Sequence, residues 1–181
     1  MMRCPIMYPE VEQAIVTLPK RRGRGGRGRG VLVAGGLVLT AAHCIKFDTK
    51  GGMVLGEWPP EEIETAAGRR LKVTPLAVEP VCDIAALGAI DYQEFSDEAK
   101  AFEEFCEETK PVAVSQVPIA PSVEFPVYVW ALERRWVRAV AVHPEDEPNE
   151  PAPTLSVTAP EQIRHGASGG PIINESGEIT F

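Results

Sequence analysis

Three short segments hold the side chains best suited to covalent chemistry. Ser168 lies in Gly166-Ala167-Ser168-Gly169-Gly170-Pro171, His43 in Thr40-Ala41-Ala42-His43-Cys44, and Asp83 in Cys82-Asp83-Ile84-Ala85-Ala86-Leu87. Taken singly, each has an ordinary structural reading: a histidine closing a strand, an aspartate in a turn, a glycine-flanked loop serine. Together they supply the parts of an acyl-transfer site. A serine hydroxyl becomes a nucleophile when a neighbouring base takes its proton. Imidazole is suited to that task, and a carboxylate on its other nitrogen fixes the tautomer and stabilises the imidazolium. Glycines beside the serine allow two backbone N–H groups to converge on a developing oxyanion.

The order of the three residues discriminates between architectures. Gly166-Ala167-Ser168-Gly169-Gly170 also satisfies G-x-S-x-G, the nucleophile elbow of α/β-hydrolases, in which the acid and histidine follow the serine. Only 13 residues follow Ser168, and none is His or Asp. The order His, Asp, Ser excludes the elbow reading.

The elements that must position these residues read as short strands. Two β-prone runs, 31–33 and 37–40, flank Gly35-Gly36 and predict a hairpin. Further strands are expected at 71–78, 84–90, 112–117, 125–132, 136–142, 155–158 and 171–173. Pro is frequent, 17 of 181 residues, which suits strands joined by turns and disfavours a helical bundle. Residues 91–110 carry eight acids and two bases. There Phe95, Ala99, Phe102 and Cys106 recur at helical spacing, predicting one amphipathic connector. Residues 143–153 hold four prolines and four acids and read as an exposed loop around His143.

Charge and cysteine usage bound the remaining classes. The net charge of −8 argues against wholesale coating of nucleic acid. Cys4, Cys44, Cys82 and Cys106 form no CxxC pair, so no zinc site is expected. No run is apolar enough for a signal peptide or a membrane span, and free thiols in a reducing cytoplasm are expected. Residues 1–30 read as a leader. It contains a low-complexity Arg/Gly stretch with six bases in residues 20–29, whose composition cannot pack a core.

The three motifs resemble the active-site motifs of trypsin-like serine peptidases, and Ile163-Arg164-His165-Gly166 is closest to the bacterial trypsin-like and HtrA-type branch. The resemblance covers about residues 30–181. It implies an all-β, chymotrypsin-like fold of two perpendicular antiparallel β-barrels, the first at 31–90 and the second at 111–181, joined by the helical connector at 91–110. It further implies that Ser168 is the nucleophile, His43 the general base and then acid, and Asp83 the orienting carboxylate. The N–H groups of Gly166 and Ser168 would form the oxyanion hole. Proteins or peptides would be the substrates, with neither metal nor organic cofactor.

Several positions depart from the family pattern. The hairpin upstream of Cys44 holds no partner cysteine, so Cys44 is expected to be a small buried apolar residue. Ala167 replaces the aspartate that receives a new N-terminus in secreted zymogens, so activation by cleavage is not expected. Glu161, Gln162, Ile163, Arg164 and His165 occupy the stretch that lines the primary pocket in the family. None is an unambiguous acid at the pocket base, which points to a small or medium apolar side chain rather than Lys or Arg. His165 is expected at the pocket rim. With Ser168 so near Phe181, the second barrel is expected to be incomplete, so that the chain is a fragment or is completed by another chain or domain. Two alternatives follow. One is a catalytically weak protein-binding module lacking part of its substrate wall. The other is an Arg/Gly arm that contacts nucleic acid through guanidinium groups.

Overall fold

The computed structural model describes residues 8–19, 28–45, 60–91, 96–117, 120, 122–131, 133–143, 155–163 and 166–180. Expectations for Cys4, Phe95, Arg164, His165, and residues 20–27 and 144–153 lie outside the described residues.

Helix α1 (Pro9–Ala14) opens with Pro at its first position and Glu10 and Glu12 in the first turn. Proline's fixed φ suits that position, and carboxylates there oppose the helix dipole. The chain then makes β1 (Ile15–Leu18), β2 (Gly28–Val33), β3 (Leu37–Ala41), β4 (Glu61–Glu64), β5 (Arg70–Glu79) and β6 (Ile84–Gly88). These six strands close into an antiparallel barrel in the order β1-β2-β3-β6-β5-β4. Helix α2 (Ser96–Glu108) follows, and β7 (Glu124–Ala131), β8 (Arg135–Val142), β9 (Ser156–Thr158) and β10 (Ile172–Ile173) form a second sheet in the order β10-β7-β8-β9. The fold is thus all-β, with one closed barrel and a partial second sheet, as expected.

The barrel begins earlier than residue 31. Strand β1 lies inside the stretch read as a leader and pairs with β2 in the register Thr17↔Arg29 and Leu18↔Gly28. Low-complexity composition concealed the start of its partner β2, because that strand needs its glycines. A Cβ on Gly28 would lie 2.7 Å from Cys44 Sγ, and one on Gly30 would lie 2.8 Å from Val38 Cγ1. The strand packs because those positions are bare, and Arg29 between them is buried.

Two other expectations change, and the connector helix forms within its expected span. Residues 112–117 make isolated bridges, Val33↔Val112 and Val114↔Ile179, in place of a strand ladder. Helix α2 buries Phe102 and Phe105, with ring centroids 6.2 Å apart; Ala101 and Cys106 pack beside them. It lies on β5, where Arg69 pairs with Glu108 at 2.9 Å and Lys72 with Glu98 at 3.0 Å. His143 is half-buried at the end of β8, and its carbonyl accepts the Ser122 N–H at 2.8 Å.

The two faces of the second sheet have different partners. Alternation along β7 and β8 sends Tyr128, Trp130 and Trp136 into the cluster that also fills the first barrel. It sends Val127, Val129, Ala139 and Ala141 into a separate small cluster. One continuous core therefore runs from the barrel to the near face of the sheet.

Candidate active site

His43 and Asp83 sit at the same end of two neighbouring barrel strands. Strand β3 pairs with β6 through Ala41↔Ile84. His43 follows β3 in a 3₁₀ turn, Ala42–Cys44, and Asp83 immediately precedes β6. Asp83 adopts φ +55°, a left-handed conformation that Asp tolerates better than most residues. There it holds the 3₁₀ turn at three points. Its carbonyl accepts the Ala42 N–H at 2.9 Å. Its Oδ1 accepts the His43 N–H at 2.9 Å, and its Oδ2 lies 2.6 Å from His43 Nδ1. An ionised carboxylate only accepts, so in the neutral ring the proton sits on Nδ1 and leaves the Nε2 lone pair free to take another. Both side chains remain about half exposed, 58% for His43 and 48% for Asp83, so the pair is open to a substrate.

Ser168 reaches the barrel through its backbone. Its carbonyl accepts the Arg29 N–H at 2.7 Å and lies 3.7 Å from Cys44 Sγ. The next residue makes the closest approach. Gly169 has φ +75°, and a Cβ there would fall 2.3 Å from the Arg29 carbonyl oxygen, 2.5 Å from Thr40 Oγ1 and 2.7 Å from the Ala41 nitrogen. Only glycine fits both the conformation and the space. Thr40 Oγ1 donates to the Arg29 carbonyl at 2.6 Å, which stiffens the seat. The Gly170 N–H closes the turn onto the Ala167 carbonyl at 2.9 Å, and Gly166 lies at φ +100°. Among the described residues, the N–H groups of Gly166 and Ser168 donate to no backbone carbonyl.

The structure thus joins His43 directly to Asp83 and brings the Ser168 turn against the same end of the barrel. Among the described residues, no hydrogen bond links the Ser168 hydroxyl to His43. Catalytic hydrogen bonds are commonly long without substrate. A cavity of about 150 Å³ lies between the two halves, lined by Thr40, Ala41, Asp83, Ile84, Gly169 and Ile172 among others.

The remaining expected residues fall at the approach to the Ser168 turn. Gln162 is exposed and Ile163 half-buried, the latter packed on the cluster of Val127, Val129, Ala139 and Ala141. Beside them Glu161 makes a two-pronged ion pair with Arg135, both N···O distances being 2.6 Å. That guanidinium holds the Glu161 carboxyl below its ordinary range. Cys44, expected to be buried, is half-buried and packs against the core. Burial first, then the Asp83 charge, push its thiol up to about 11 against an opposing hydrogen bond with Thr40.

Sequence reasoning missed Arg29, Thr40 and Arg135. Arg29 lay in the apparent low-complexity stretch, and its contribution through the backbone has no residue-type signature. Thr40 carried a weak signal, being a hydroxyl residue at the buried end of an apolar strand.

A closed six-stranded antiparallel barrel, a second antiparallel sheet and a histidine–aspartate pair facing a glycine-rich serine turn define a trypsin-like class of protein. A family model described as the trypsin-like peptidase domain matches residues 28–180, and the chain belongs to that family. Among solved structures it is similar to the Rv3671c protease of M. tuberculosis in an inactive form. The TM-score is 0.57 with 16% identity, over 99% of this chain and 83% of that one. It is also similar to a serine endoprotease from Yersinia pestis, with a TM-score of 0.58 and 15% identity over 96% of this chain. The match spans 54% of the Yersinia chain, about half its length. At these identities the likeness is one of fold. No curated relative matches the chain.

Proposed function

We propose that the protein is a serine endopeptidase acting on protein or peptide substrates through His43, Asp83 and Ser168. The observation that carries this reading is Asp83's double hold on His43, through both the backbone N–H and Nδ1, at the spot where the Ser168 turn docks. The ring is oriented before any substrate arrives, with its Nε2 left free to accept a proton.

In this mechanism Ser168 Oγ attacks the scissile carbonyl carbon while its proton passes to His43 Nε2. Negative charge collects on the carbonyl oxygen, where the Gly166 and Ser168 N–H groups would receive it. Asp83 stabilises the imidazolium without taking its proton. His43 then protonates the leaving amine, and the carbon–nitrogen bond breaks to leave an acyl-enzyme. Water, deprotonated by His43, attacks the ester carbonyl, releases the acid product and restores the serine. No step requires a metal or organic cofactor.

Hydrolysis of a quenched fluorescent peptide library tests this. The full chain should generate new peptide N-termini, and Ser168→Ala should abolish them. A second reading, a protein-binding module with little turnover, draws on the second sheet, which among the described residues has four strands and does not close. It predicts peptide capture without cleavage, undiminished by Ser168→Ala.

A further inference from the structure

The segment that carries Ser168 pairs with β7 in its middle and is held at each end by a residue from the N-terminal part of the chain. At the near end the Arg29 N–H binds the Ser168 carbonyl. At the far end, beyond β10, the Tyr8 hydroxyl donates to the Glu175 carbonyl at 2.7 Å. The six residues between these points include Gly169 in its tight seat and the short strand β10.

Tyr8 is itself firmly placed. Its ring meets Tyr128 edge-on, with centroids 6.0 Å apart at 62°, and Trp136 at 6.1 Å and 85°. Gly177 lies so close that a Cβ there would come within 3.0 Å of Tyr8 Cδ1. One turn along α1, Glu12 accepts the Trp136 indole N–H at 3.1 Å, and Trp136 packs on Trp130 at 4.9 Å. Lys110 pairs with Glu10 at 2.6 Å. Helix α1 is thereby bound to β8 and to the residues after α2. It then runs without a break into β1, whose Thr17 hydroxyl accepts Arg29 Nη1 at 2.5 Å. The two anchors of the nucleophile segment are therefore mechanically continuous through α1, β1 and β2.

We propose that Tyr8 is a positioning residue for the hydrolytic reaction, its hydroxyl fixing the far end of the segment that carries Ser168 so that the nucleophile lines up on His43. The inference rests on the serine peptidase reading above. Its physical basis is the steep dependence of rate on alignment, in which a displacement of ~1 Å can cost ~100-fold. Strand β10 is only two residues long, paired with β7 through Ile172↔Val129 and Ile173↔Tyr128 and bonded by the Trp130 N–H on Pro171 and the Thr180 N–H on Ile172, so Glu175 lies beyond its ladder, where Tyr8 fixes it. Burial, together with Tyr128 and Glu175, pushes the Tyr8 phenol up, so it stays a hydrogen-bond donor at neutral pH.

The test compares the wild-type chain with Tyr8→Phe and Tyr8→Ala. It measures kcat and KM on a fluorogenic peptide, the rate of fluorophosphonate labelling at Ser168, and the thermal midpoint. Tyr8→Phe keeps the ring contacts and removes only the donor. Labelling rate and kcat should fall about 5- to 10-fold, with KM within about twofold and the midpoint nearly unchanged. Tyr8→Ala should fall further. If the wild type is labelled and Tyr8→Phe reacts at the same rate, the positioning role is overturned and the peptidase reading stands. A lower midpoint with unchanged kcat would make Tyr8 merely structural and likewise overturn it. If the folded wild type is not labelled, the peptidase reading fails and takes this inference with it.

Discussion

In the first barrel every strand has a hydrogen-bonded neighbour on each side, whereas in the second sheet, among the described residues, β9 pairs with β8 alone and β10 holds β7 through two residue pairs. The two halves consequently place their candidate site residues by different means. His43 and Asp83 sit where paired strands of a closed barrel end, and three hydrogen bonds from Asp83 lock the turn between them. The Ser168 turn takes its position from the opposite half, from the Arg29 N–H and from the shallow seat that admits only Gly169. A closed barrel can orient a base from within. An open sheet presents a nucleophile accurately only if something outside it supplies the reference point.

The largest expected effect breaks the self-sufficient half. Asp83→Asn should keep the barrel but favour the wrong imidazole tautomer, lowering kcat by about 10⁴-fold while circular dichroism stays unchanged. Next comes the borrowed half. Gly169→Ala places a methyl against the Arg29 carbonyl and strains a positive φ, so the Ser168 turn must lift. Turnover should drop by about 100-fold or more, with hydrogen exchange in β2, β3 and β6 unaltered. If Gly169→Ala also loosened those strands, the two halves would not be separable as described.

A third expectation concerns the thiol at their junction. The native state holds Cys44 protonated up to about 11, against an ordinary value of 9.0. Between those values the unfolded chain has lost its thiol proton and the native one has not. The native state then binds more protons, so unfolding free energy falls as pH rises through this window and levels off above it. Denaturant titrations of the wild type should show that alkaline slope, and Cys44→Ala should flatten it. The smallest effect belongs to the Arg135–Glu161 pair. It is exposed, so Glu161→Gln should leave the thermal midpoint unchanged. Because Arg135 holds the Glu161 carboxyl low, the ion pair should persist at mildly acidic pH, and the midpoints of Glu161→Gln and wild type should stay equal there as well.

The parts legible in the sequence were those whose chemistry is local. Glycine-rich flanks marked the Ser168 turn, and the Gly35-Gly36 pair marked the β2–β3 hairpin. Apolar runs marked β5 through β8. The acid content of Glu61-Glu62-Ile63-Glu64 hid β4, because a strand with one apolar side chain gives no alternation to read. The Arg/Gly stretch hid the start of β2, where bare glycines are a packing device and not a sign of disorder. Contacts made by backbone atoms left no trace in residue type. Arg29 meets Ser168 through amide and carbonyl, and Tyr8 meets Glu175 across 167 positions of chain. The candidate residues His43, Asp83 and Ser168 could be named from sequence, but what holds Ser168 in place is visible only in three dimensions.

The most direct measurement of the central claim is active-site labelling. A fluorophosphonate added to the folded full chain should attach to Ser168, identified by mass spectrometry of the peptide that spans it, and His43→Ala should abolish the attachment. A folded chain that stays unlabelled, or labelling that survives His43→Ala, would contradict a working His43–Asp83–Ser168 triad.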